Sequence, residues 1–135
     1  MQYRRPRRND PYWVEPEIWD NVVHFCRCYP VWLKELEALP DPNKGISYEG
    51  DKVQSSGEND PTYVFAAKRI EIERKVNLIE TTAQSVNTSL WSWIVKGVSE
   101  KGITIEDLKA QGMPINKKEY AQMRKVFYYR LSKRI

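Results

Sequence analysis

An all-α fold is what this sequence predicts, on three observations. Apolar residues return at intervals of three, four and seven from Ile18 to Leu131, the period of an amphipathic helix. Helix starts are marked by capping signals at Asp60-Pro61, Thr104–Asp107 and Asn116–Glu119. No stretch reads as a strand, and there are no internal repeats. With 135 residues, 41% hydrophobic and 12% aromatic, the chain is long enough for one domain with a real core.

The elements follow in order. Residues 1–14 hold Pro6 and Pro11 and no period, and read as a basic extended arm. Residues 15–40 form an N-terminal helical segment. Within it Ile18, Val22, Phe25 and Tyr29 share one face, Pro30 must break or kink the helix, and Leu33 and Leu36 continue the apolar line up to Pro40 and Pro42. Residues 41–60 contain three glycines, three serines and scattered charges without a period, which predicts a flexible loop. Asp60-Pro61 then opens a long central helix to about Val86. Its stripe of Phe65, Ile72, Val76, Ile79, Ala83 and Val86 is heptad-like; it either packs on the first helix within the chain or pairs two copies as a coiled coil. Asn87 or Thr88 caps a shorter helix carrying Leu90, Trp91, Ile94, Val95 and Val98, ended by Gly102. Thr104 opens a brief helix that buries Ile105 and Leu108 and stops at Gly112. Asn116–Glu119 is a full capping box for the final helix, from Lys117 nearly to the C-terminus.

Charge and chemistry narrow the function. The net charge of +4 is concentrated at the two ends. Residues 1–10 carry four arginines against Asp10, residues 113–135 carry seven lysines and arginines against Glu119, and the body between them is net acidic. Two basic ends suit a polyanion-binding protein. The start has no apolar h-region and no run approaches a membrane span, so a cytoplasmic, non-membrane protein is expected. Two cysteines make no disulfide framework, and a single histidine disfavours His-based catalysis. His24, Cys26 and Cys28 sit two apart, so on a helix they point away from one another and cannot share one metal ion. Glu15, Glu17, Asp20, Glu71, Glu73 and Glu80 read as exposed helix-face charges. No phosphate loop or nucleophile motif is present, so neither enzymatic activity nor a cofactor or metal is expected.

The last two helices, residues 104–135, form a helix-turn-helix-like unit with a glycine at the turn. On the final helix Tyr120, Met123, Phe127 and Leu131 face the core, with Phe127 and Leu131 against the Trp91–Val98 helix. The opposite face holds Lys118, Gln122, Lys125 and Tyr129, flanked by Lys117, Ala121 and Arg124. Cations beside phosphates, an amide for base edges and a small residue at close approach are what a DNA-reading helix needs. Two lysines at the positive end of a helix are disfavoured by its dipole unless phosphate sits there. Arg4, Arg5, Arg7 and Arg8 of the arm would grip a minor groove or phosphates. The turn departs from the best-known pattern, with Leu108 at the usual small-residue position and Asp107 and Lys118 where apolar residues are usual.

Several of these pieces occur together in one family. Tyr29-Pro30 followed by Leu33 and Leu36, Asn59-Asp60-Pro61-Thr62 leading to Lys68-Arg69, and Met113-Pro114-Ile115 leading to Tyr120 and Arg124–Leu131 resemble the RinA/ArpU-type phage and prophage late-operon regulators of Gram-positive bacteria. The resemblance spans most of residues 12–135 through short, degenerate motifs. It implies a phage-encoded transcriptional regulator of activator type, with double-stranded promoter DNA as partner. A homodimer is expected on separate grounds, because a basic recognition helix gains specificity when two copies read paired half-sites and the heptad-like stripe offers a place to pair. Two other functions fit the same sequence. One is a small phage inhibitor or adaptor that binds a host protein such as a nuclease or RNA polymerase; the other is a terminase-like packaging subunit.

Overall fold

The computed structural model describes residues 5–40 and 61–135, apart from the side chains of Pro61 and Thr62. The predicted loop at 41–60 and Arg4 lie outside the described residues. Those residues form six helices and no strand: α1 (Pro16–Arg27), α2 (Tyr29–Ala38), α3 (Pro61–Val86), α4 (Trp91–Ser99), α5 (Ile105–Ala110) and α6 (Lys117–Ser132). Helix α3 packs against α2, α4 and α6, while α1 closes over α4 and α6. No helix among the described residues is long and apolar enough to cross a membrane.

Pro30 acts as its position requires. The helical line breaks at Cys28, whose amide bonds back to His24 and Phe25, and Pro30 sits in the first turn of α2, where no donor is needed. The buried face of α1 is rotated from the expected one: Trp19, Val22 and Cys26 are buried, Phe25 and Tyr29 are half-buried, and Ile18 is 43% exposed. Positions 19, 22 and 26 also keep helical spacing, and they turn the larger indole inward, 4.8 Å from the ring of Tyr128. Helix α2 has no buried residue, and Leu33 is exposed. It is held from the side: the Tyr29 hydroxyl donates to the Glu80 carboxylate, so Glu80 is a tie between helices rather than a free surface charge. The Arg69 guanidinium donates to the Leu39 and Pro40 carbonyls at 3.3 and 3.0 Å, satisfying acceptors that the end of α2 leaves open.

The α3 stripe is buried at Ile72, Val76, Ile79 and Ala83, but Phe65 is 42% exposed. The first turns of α3 run beyond the layer built by the other described helices, so periodicity alone misplaced Phe65. Packing within the chain uses the stripe from Ile72 to Ala83, which leaves no free seam there for a coiled coil.

Local signals set the remaining turns. Asn87, rather than Thr88, accepts from the amides of Ser89 and Leu90 ahead of α4. Gly102, at φ 86°, shapes the turn after α4 rather than its last residue. Thr104 and Asp107 complete a reciprocal capping box although Asp stands where Glu is usual. Helix α5 ends in a Schellman motif: Met113 N–H donates to Leu108 at 3.1 Å, Gly112 N–H donates to Lys109 at 3.0 Å, and Gly112 takes φ 104°. Leu108 and Met113 then pack with Tyr120 in a small second core, partly covered by Ile105. Phe127 and Leu131 join Ile94, Val95 and Val98 in the main core.

Candidate nucleic-acid interface

The face of α6 opposite its core is only partly open. Lys118 and Gln122 are exposed, whereas Lys125 and Tyr129 are half-covered. The cover is the N-terminal arm. Val14 is buried in the main core and anchors the arm at its end. Asp10 N–H donates to Arg7, Trp13 N–H donates to Asp10, and the Asp10 carboxylate accepts from Tyr12 N–H at 2.8 Å. These bonds fold residues 7–13 into turns, so the arm is not the extended tail that two prolines suggested.

Two contacts fasten the turned arm to α6. Lys125 Nζ meets the Asp10 carboxylate at 2.8 Å across 115 positions of sequence. The Tyr12 ring stands edge-on to Tyr129 at 5.4 Å, and the Lys133 ammonium lies 4.9 Å from the Tyr129 ring. Lys125 and the Tyr12 amide together hold the Asp10 carboxyl below its usual range. A lowered carboxyl stabilises the docked arm above its ordinary range and loses that contribution only as pH falls through the lower value. The fastening is therefore complete at neutral pH.

Between arm and helix runs an open groove of about 680 Å³, lined by Arg5, Pro6, Arg7, Asn9, Asp10, Lys118, Ala121, Gln122 and Lys125. Arg8 turns aside, its guanidinium 5.4 Å from the Trp13 ring, and borders a neighbouring hollow with Arg5 and Arg7. Cations from the two ends of the chain thus meet on one surface.

Other basic residues of the C-terminal block go to internal contacts. Lys117 pairs with Glu106 at 3.1 Å, an exposed contact between α6 and α5 of small energetic value. Arg130 donates to the Ser85 carbonyl at 2.7 Å and Arg134 to the Thr82 hydroxyl at 2.9 Å, tying the end of α6 to the end of α3. Arg124 corrects the sequence reading outright: it is 9% exposed and does not flank the outer face. Its guanidinium lies 5.9 Å from the Tyr120 ring. It lines a cleft of about 270 Å³ with Trp19, Asp20, His24 and Tyr128. The signal was in the spacing, since Tyr120, Arg124 and Tyr128 form one i, i+4 row and both tyrosines are core. Arg124→Ala is accordingly expected to cost roughly 1–3 kcal/mol of stability, the usual range for disrupting a buried polar group, and so to lower the unfolding midpoint. A thermal melt checks this, and an unchanged midpoint would place Arg124 back on the surface.

The groove also contains residues that sequence reasoning did not select. Asp10 and Asn9 line it, and Tyr12 fastens the arm beside it against Tyr129. A lone acid among arginines, followed by Pro11, was the available signal for a turn. Among the described residues no group of histidine, cysteine or carboxylate side chains could hold a metal ion. Cys26 is buried, which raises its thiol pKa, while Cys28 is exposed. Compared with known proteins, the chain matches no protein family, no curated protein and no solved structure.

Proposed function

We propose that this chain is a DNA-binding transcriptional regulator of the phage late-operon type that it resembles, gripping double-stranded DNA through the groove between its arm and α6. The observation that carries this reading is the convergence of Arg5, Arg7, Lys118 and Lys125 around the amide of Gln122 on one open surface. Lysine and arginine neutralise phosphates, and an exposed glutamine can read a base edge beside them. In this reading α5 and α6 act as the helix-turn-helix-like unit. The capping box fixes the start of α6, and the Schellman turn fixes its angle to α5. The arm works together with α6 rather than in a separate groove, and Arg124 serves the fold.

Lys118→Ala is expected to leave stability within about half a kcal/mol of the parent, because the side chain is exposed. Its affinity for duplex DNA should fall, and the salt dependence should flatten by about one unit. Gln122→Ala should weaken a preferred sequence more than a random one. Titrations of labelled duplexes at several salt concentrations decide the matter; unchanged binding by both variants would sink the reading.

A second reading has its own observation. Tyr63, Val64, Phe65 and Ile70 on α3 and Val31 on α2 are exposed apolar residues, of a kind that suits contact with a protein partner. It corresponds to an adaptor that binds a host protein such as RNA polymerase. Capture of polymerase that persists at high salt, with no duplex binding at low salt, would favour it over the DNA reading.

A further inference from the structure

We infer that Asp10 is a built-in stand-in for DNA phosphate, occupying Lys125 until a duplex displaces it; this rests on the DNA-binding reading above. Asp10 is the only acid among the described residues of the arm before Glu15, and it stands in the groove's cationic lining. Its carboxylate could have faced solvent, as a surface acid ordinarily does. Instead the turn at Arg7–Trp13 directs one oxygen to the Tyr12 amide and the other to Lys125 Nζ. The two oxygens therefore have separate tasks: Oδ1 shapes the turn and Oδ2 neutralises the lysine.

The pair is partly shielded, with side-chain exposures of 19% for Asp10 and 25% for Lys125. A contact of this kind keeps more of its strength than one open to water. The consequence is selective. Lys118, Arg5 and Arg7 are exposed and ready for any polyanion. Lys125 accepts a phosphate only by giving up Asp10, so a ligand must supply an anion at that position to gain the contact. Weak or sparsely charged polyanions meet a groove with one cation fewer. A duplex phosphate that fits takes the place of the carboxylate and loosens the arm's main polar tie to α6.

Asp10→Asn separates the two tasks. The amide oxygen of Asn can still accept from Tyr12 N–H, so the turn is kept, while the charge on Lys125 is released. With one more phosphate contact available, the logarithmic salt slope should steepen by about 0.9, which at 0.1 M salt corresponds to roughly eightfold tighter binding. The experiment titrates a short random-sequence duplex with the full chain, Asp10→Asn and Glu37→Gln over a salt series. Glu37→Gln makes the same change in net charge on α2 and should give a much smaller gain. Proton NMR contacts between the Tyr12 and Tyr129 rings confirm that the arm of Asp10→Asn stays docked. Tighter binding with a steeper slope, seen for Asp10→Asn and not for Glu37→Gln, is the expected result. If the parent binds the duplex and Asp10→Asn binds equally or more weakly, the inference is overturned and the DNA reading stands. If neither binds at low salt, both are overturned.

Discussion

Phe127→Ala should remove roughly 3–5 kcal/mol of stability, the usual cost of truncating a fully buried phenylalanine. Phe127 is fully buried, in the main cluster with Ile79, Ile94, Val95, Val98 and Leu131. It lies where α6 meets α3 and α4, so no single neighbour can collapse into the space left behind. Domains of this size are stable by only about 5–15 kcal/mol in all, and such a loss is a large part of the whole. Chemical denaturation should show a lower midpoint with little change in slope. DNA binding at temperatures where the variant remains folded should stay near that of the parent, because the groove lies on the opposite face of α6. The contrast with Lys118→Ala, stable but weakly binding, separates the two faces of one helix. A loss below about 1 kcal/mol would mean that α6 is not seated as described.

How much of this could be read in the sequence depended on whether the signal was local. Caps are local, and the starts at Thr104 and Asn116 were legible because a side chain three residues away completes each box. The bounds of α3 were equally clear, from Pro61 to Val86. The buried faces were less so. Trp19 displaced Ile18 because the fit to Tyr128 of α6 chose the rotation, and no count along α1 contains that partner. Phe65 kept the period of the stripe but lies beyond the layer that would cover it. The candidate site was legible in kind and incomplete in detail. Lys118, Gln122, Lys125, Arg5 and Arg7 do line one groove, yet the contact that brings the two ends together joins Asp10 to Lys125 across nearly the whole chain. Arg124 was misplaced because a basic residue on a basic helix reads as surface, although its i, i+4 neighbours Tyr120 and Tyr128 are both core.

Gly97→Ala is expected to destabilise the protein although it puts a better helix former inside α4. Exchanging glycine for alanine within a helix ordinarily gains up to about 1 kcal/mol. At Gly97 that gain is overridden, because a methyl group there would land on the Tyr120 hydroxyl, with the ring carbon beneath it at 2.9 Å and Leu108 Cδ1 at 3.3 Å. Tyr120 has little freedom to withdraw. It is fully buried, its hydroxyl donates to the Trp93 carbonyl at 3.0 Å, and burial pushes its phenol up to about 12. Either the ring or the whole of α6 must shift, and overpacking of this kind costs about 1–3 kcal/mol. Since Tyr120 sits just after the capping box that starts α6, the same shift would move Lys118 and Gln122 and weaken duplex binding together with stability. Tyr120→Phe tests the cause. Removing the hydroxyl alone should cost about 1 kcal/mol for the lost hydrogen bond, but it also clears the atom nearest the new methyl group. The double variant should therefore be more stable than the sum of the two single losses predicts, a coupling that a double-mutant cycle measures directly. Strict additivity, or a Gly97→Ala protein as stable as the parent, would show that α4 and α6 do not meet at this point.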